Sequence, residues 1–290
     1  MTNIVSFEDF ENEHQIEAHQ IGLPRVVLEG ETDVKLFKTF WFTHLLEKMQ
    51  FVEPSDVIRG TGCTAVGLAV EYSVNNEGIP AIGIVDRDTL FRERRWSVLF
   101  SIDEQEFINQ SHAADLVVAS LWEVEAYLLE AEFVFDWVRG NNRPEQECNN
   151  ALAWAIEECE GLLQAAAFFA ASHQVGQARA PGYFSNLRHD RIAADCEAIL
   201  TGSQDHCNTT AEEVKSLVDA IFAAAPVDPA SRLKYLLRYV DTKRLLVRLE
   251  KRLSLANKSY WHIANLMLRL AKRPTELEGY LTRFAGRVAA

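Results

Sequence analysis

The stretches R-V-V-L-E-G-E-T-D (25–33) and P-A-I-G-I-V-D-R-D (80–88) decide how this chain is read. Each is a short run of β-branched and apolar residues that ends abruptly in carboxylates. RVVL (25–28), bounded by Pro24 and Gly30, has the pattern of a buried strand, and PAIGIV (80–85) repeats it. Working outward, 56–59 reads as another strand ending at Gly60-Thr61-Gly62, and LVVA (116–119) as a fourth. Helical spacing fills the intervals. Val34, Phe37, Trp41, Leu45 and Met49 form one stripe over 31–49; a second helix is expected over 64–75 and a third over 122–138. Strand alternating with helix implies right-handed crossovers and a mostly parallel α/β sheet.

From about residue 146 the pattern changes to alanine- and leucine-rich helix with little strand. The expected organisation is therefore an α/β domain over 1–142, followed by an all-helical domain over 143–290. The chain has 290 residues, 48% hydrophobic and 24% charged, a globular composition that excludes a disordered or fibrous protein. No apolar run approaches the ~20 residues a membrane helix needs. The acidic start M-T-N-I-V-S-F-E-D-F lacks the order of a signal peptide, so a cytoplasmic protein without membrane attachment is expected. Five cysteines with no C-x-x-C pair read as reduced thiols; His206 and Cys207 have no second ligand pair at zinc spacing.

The net charge of −13 argues against non-specific coating of nucleic acid. The charge is uneven: residues 232–290 hold 14 basic and 4 acidic side chains, and the body before them is strongly acidic. The basic part can meet a polyanion, or its helical face can simply be solvated; the acidic body can meet a basic partner. The basic stretch 243–252 (KRLLVRLEKR) reads as an amphipathic helix with the same two alternatives.

The placement of the acids carries the chemistry. Glu29 follows the first strand, Asp86 and Asp88 follow PAIGIV, and Glu123 and Glu125 follow LVVA. Ligands of open α/β sheets bind outside the carboxyl ends of the strands, so these groups are expected to converge. Asp33, four residues after Glu29, can face the same crevice from a helix's first turn. In an extended D-x-D, Asp86 and Asp88 point one way and Arg87 the other. Glu123 and Glu125 both serve only if they straddle a strand-to-helix turn. Converging carboxylates repel, and a hard cation such as Mg²⁺ or Mn²⁺ removes the penalty. Acids at helix starts also occur for the helix dipole alone.

The segments V-V-L-E-G-E-T-D (26–33), R-G-T-G-C (59–63) and I-G-I-V-D-R-D (82–88) resemble a TOPRIM domain. With W-E-V-E-A-Y-L-L (122–129) and the helical second half, they resemble most the branch near the OLD nucleases that is encoded beside ABC-type ATPases, including the effector subunits of the PARIS anti-phage system. The resemblance implies a TOPRIM-like sheet flanked by helices, and a Mg²⁺-dependent endonuclease. Its metal ligands are then Glu29, Asp33, Asp86, Asp88, Glu123 and Glu125, and its catalytic residues Glu29, Asp86, Asp88 and Lys243. It also implies a toxic effector that cuts host tRNA after release from an ABC-type ATPase partner, and that dimerises when free. An OLD-type DNA nuclease and a non-catalytic TOPRIM-like adaptor are the alternatives. R-G-T-G-C lacks the lysine that many relatives carry there, and no motif surrounds Tyr183, Tyr235, Tyr239 or Tyr260 to suggest a topoisomerase nucleophile. Arg92, Arg94 and Arg95 are expected on a loop touching phosphate or a partner.

Overall fold

A computed structural model describes residues 22–202 and 208–289; His206 and Cys207 lie outside them. Four strands, β1 (Arg25–Val27), β2 (Gln50–Val52), β3 (Ala81–Val85) and β4 (Leu116–Val118), form one sheet in the order β2-β1-β3-β4. Every pairing is parallel, with Val26 opposite both Phe51 and Ile82. All residues of β1 and β3 are buried, as expected for central strands covered on both faces. The α/β reading of the first half stands.

Two elements before residue 60 differ from expectation. The second strand is Gln50–Val52, and the proposed strand at 56–59 does not form. Pro54 opens a 3₁₀ turn over Pro54–Asp56, and the Glu53 N–H donates to Asp56 Oδ2 at 3.1 Å. A proline has no N–H to give a ladder and fixes its own φ, so the strand must stop before it. The helix expected over 31–49 is broken as well. Glu31–Lys35 is α-helical, Leu36–Trp41 widens into a π-helix, and Thr43–Leu45 is a 3₁₀ turn. The wider turn, closed by Phe42 N–H on Phe37 O at 2.8 Å, lets Phe37, Phe40, Trp41 and Phe42 all bury. Phe37 meets Phe51 of β2 edge-on at 5.6 Å between ring centroids.

The helix Cys63–Asn75 lays Ala65, Val66, Ala69 and Val70 against β1 and β3. Its close approach depends on Gly83: a Cβ there would stand 2.7 Å from Val66 Cγ1 and from Leu116 Cδ1. Gly62, which precedes the helix, has φ +79°, a conformation side chains rarely adopt. Arg25, 1% exposed, donates to Ser73 Oγ at 3.0 Å and pairs with Glu77, locking β1 to the same helix.

The chain forms two compact units. Unit 1 comprises the described residues of Met1–Asp86, with His112–Ala119 and Met267–Ala290; unit 2 comprises Arg87–Ser111 and Ser120–Leu266. Compactness thus divides the chain differently from the change in patterning at 142/143. Residues 116–118 pair with β3 and so join the sheet, and the helix Thr275–Ala289 sends Arg287 to Asp115 at 3.3 Å and Tyr280 to His112 at 3.3 Å within unit 1.

Unit 2 is helical. Its long helix Glu145–Gln164 packs against Ala131–Gly140, His189–Gly202, Pro229–Leu236 and Thr242–Arg252. The helix expected over 122–138 is two pieces, a 3₁₀ segment Val124–Leu128 and the helix Ala131–Gly140, because Glu130 is extended between them. The basic helix is present at Thr242–Arg252, but neither expected role suits all of its cations. Arg244 is buried, donating to Asp241 and to the Ala180 carbonyl, with its guanidinium 4.0 Å over the Phe169 ring. Arg248 is buried in an ion pair with Glu158 at 2.5 Å, and Arg252 reaches the same carboxylate at 3.0 Å. Two of its five cations, Arg244 and Arg248, are therefore internal framework, neither solvated nor open to a strand. No helix among the described residues is long and apolar enough to cross a membrane.

Candidate metal centre

The strand order locates the site. From β1 the chain moves to β2 on one side, then returns to β3 on the other and continues outward to β4. The carboxyl ends of β1 and β3 are therefore the switch point, where connections leave in opposite directions and open a crevice. Leu28 extends the β1 ladder through its N–H to Val52 O at 2.9 Å, so Glu29 is the first residue beyond it. Asp86 is the first residue after β3, and its N–H donates to Glu29 Oε1 at 2.9 Å. That bond fixes the glutamate against the opposite strand end. Asp86 is 5% exposed and Glu29 is half-buried.

Asp88 follows two residues later in the same turn. The segment is not extended: Arg87 has φ −62° and ψ −24°, and Asp88 opens the short helix Asp88–Arg92. Carboxylate oxygens of Glu29, Asp86 and Asp88 nevertheless lie within 4.8 Å of one another. The donor set is three hard oxygens with no imidazole or thiolate among them, which fits Mg²⁺ or Mn²⁺ better than zinc. Asp88 also accepts from Arg92 Nη2 at 2.6 Å, a cation already drawn to this turn. Between the two aspartates, Arg87 is turned away and buried. It donates to the Leu99 and Ser120 carbonyls and lies 4.0 Å over the Phe107 ring, anchoring the turn within unit 2.

The other expected ligands are placed differently. Asp33 is buried in the helix Glu31–Lys35 and is not a member of the three-carboxylate group. Glu123 and Glu125 belong to unit 2 and do straddle a turn: Glu123 is extended at the cap and Glu125 sits inside the 3₁₀ segment, both buried. Glu123 is held by Lys243, whose backbone N–H reaches Oε2 at 3.0 Å and whose Nζ reaches Oε1 at 2.6 Å. Burial pushes the Glu123 carboxyl up to about 8, with Lys243 opposing the rise and Asp241 and Glu125 adding to it. Lys243 is thus engaged with a carboxylate, while Asp241 caps its helix by accepting from the Arg244 N–H at 2.9 Å. The three arginines of the 92–95 stretch also have local partners or strain: Arg92 has Asp88, Arg95 has Glu93 at 3.3 Å and the Gln110 carbonyl, and Arg94 stands at φ +59°.

Residues outside the expected ligand and catalytic set border the turn within unit 2. Phe91, Trp122, Phe169, His173, Arg179 and Tyr239 line a cavity that Asp88 also lines. No periodicity or motif in the sequence marks them as a group, because aromatic residues at such separations are ordinary core residues. No protein-family model, curated protein or solved structure matches this chain.

Proposed function

We propose that this protein is a divalent-metal-dependent phosphodiester hydrolase, an endonuclease of TOPRIM-like design. The observation that carries the reading is the meeting of the Glu29, Asp86 and Asp88 carboxylates at the β1/β3 switch point. Three such groups would repel one another unless a cation joined them. A parallel sheet with a glutamate after its first strand and a D-x-D after β3 supports the TOPRIM reading, which rests on these residues alone.

Glu29, Asp86 and Asp88 would hold Mg²⁺ or Mn²⁺. The ion, when bound, supplies Lewis-acid polarisation of a phosphoryl oxygen and a bound water of lowered pKa. Glu29 presents its ligand oxygens in fixed orientation, because Oε1 is tied to the Asp86 N–H. Asp86 is shielded from water and sets the dry floor of the site. Arg92, exposed and adjacent to Asp88, is placed to meet charge on a phosphate approaching that carboxylate. Under this proposal the strand cut is host tRNA and an ABC-type ATPase restrains the enzyme, as the family resemblance implies; an OLD-type action on DNA is the competing reading.

The test is Mg²⁺-dependent cleavage of RNA and DNA by wild type, Glu29→Gln and Asp86→Asn, with circular dichroism to confirm folding. Cleavage abolished in both folded variants supports the proposal; full activity in either overturns it. Sequencing of small RNAs after induced expression decides between tRNA and DNA.

A further inference from the structure

Unit 2 contains a cavity of about 110 Å³ next to Asp88, and its lining is mixed in an informative way. One water needs ~10–15 Å³ of such space, so the cavity admits a small ring system; it falls well below the ~300–1,000 Å³ of drug-sized sites. Four walls are aromatic: Phe91, Trp122, Phe169 and Tyr239. Phe91 meets Trp122 tilted at 5.8 Å and His173 edge-on at 5.2 Å between ring centroids, so the wall is a cluster of aromatic rings. Two buried polar atoms of the lining have no hydrogen-bond partner among the described residues, His173 Nδ1 and Arg179 Nε. Buried polar atoms are rarely left so, and each marks a place where a ligand atom would restore a bond. Burial, with Arg94 adding to it, holds the His173 imidazole below its usual range and favours the neutral ring, which has one donor and one acceptor nitrogen. Arg92, Arg179 and Arg244 outnumber Asp88 and Asp241 in the lining.

A ligand matching this set is planar and aromatic, has polar atoms in its plane and carries negative charge at one end. We propose that the cavity receives a nucleobase, unstacked from a single strand that lies with its phosphate toward Asp88 and Arg92. Asp88 lines the cavity and is also one of the three clustered carboxylates. The base stacks among Phe91, Trp122 and Phe169, as bases do on aromatic platforms, and bonds His173 Nδ1 and Arg179 Nε through its edge. Hydrolysis at the neighbouring centre is the reading this rests on, but the cavity is tested without it.

The full chain is titrated in EDTA with each of the common ribonucleoside monophosphates, and with a short single strand, while tryptophan fluorescence is followed. Saturable quenching by at least one monophosphate is expected, with the strand competing for the same site. Ala166→Phe fills the cavity and should abolish the signal. His173→Phe keeps a ring but removes the nitrogens, and should weaken binding about tenfold, the loss of one hydrogen bond; it decides the matter if Ala166→Phe does not fold. Absence of saturable quenching, or equal affinity in both variants, overturns the proposal. Binding of monophosphates without competition by the strand overturns the strand as the source of the base. Because no metal or turnover is involved, nucleotide binding can persist where Glu29→Gln shows that hydrolysis was misread; unimpaired cleavage by both cavity variants would instead remove the cavity and leave hydrolysis standing.

Discussion

Glu29→Gln separates the structural work of this side chain from its charge. The amide oxygen can still accept from the Asp86 N–H, a bond of 2.9 Å in the wild type. What disappears is the repulsion between Glu29 and the other two carboxylates, all three within 4.8 Å of one another. At an effective dielectric constant of ~20, two unit charges at that distance repel by about 3 kcal/mol. The Arg92 guanidinium at 2.6 Å from Asp88 and the partial exposure of Glu29 reduce this. A net gain of ~1–2 kcal/mol in metal-free stability is expected for the variant. At ~2–4 °C per kcal/mol, the melting temperature in EDTA should rise by about 2–8 °C. Mg²⁺ should reverse the order. An ion at ~100 times its dissociation constant stabilises the wild type by about 2.7 kcal/mol, and the variant, lacking one ligand charge, should gain far less. The assay is thermal unfolding of both proteins in EDTA and in saturating Mg²⁺. A variant less stable than wild type in EDTA, with an undiminished response to Mg²⁺, would refute the reasoning, because Glu29 would then be a structural acceptor only.

Gly83→Ala should destabilise the sheet unit by ~1–3 kcal/mol, read from the urea midpoint, because the new Cβ would stand 2.7 Å from both Val66 and Leu116 side chains. Glu123 should give stability a pH slope: its carboxyl rises from 4.5 to about 8 on folding, so its contribution is whole below pH 4.5 and is lost as pH rises through about 8. Glu123→Gln should flatten that window, whereas Lys243→Met, which removes the opposing charge, should move its upper edge to higher pH; unchanged denaturation profiles would contradict the assignment. Arg248→Met should cost ~3 kcal/mol or more, since it strips a buried partner from Glu158, while the pair Arg248→Met with Glu158→Gln should cost less. Chemical unfolding of the two variants provides the comparison.

Much of the α/β half was legible because its signals are local. RVVL and AIGIV are fully buried central strands, and such strands show as unbroken apolar runs. The acids that terminate them were legible for the same reason: Glu29, Asp86 and Asp88 were nominated by their position after strands, and they do meet. Failures occurred where long-range packing overrode a local pattern. The stripe from Val34 to Met49 suits a single helix, yet burying four neighbouring aromatic residues beside Phe51 required a π-turn and an early return to β2. Residues 56–59 looked like a strand, but Pro54 had already redirected the backbone.

What the sequence by itself determined is the order of strands and helices and the kind of atoms at each strand end, because hydrophobic period and residue type are properties of neighbours along the chain. Only the tertiary structure decided which acids share a site and which cations are spoken for. Strand order put β1 beside β3 and so joined Glu29 to Asp86, while Glu123 went to Lys243 and Arg248 to Glu158. Partners so distant along the chain are chosen by the crossing of strands and the packing of helices, and a charge leaves no periodic trace of the group that will neutralise it.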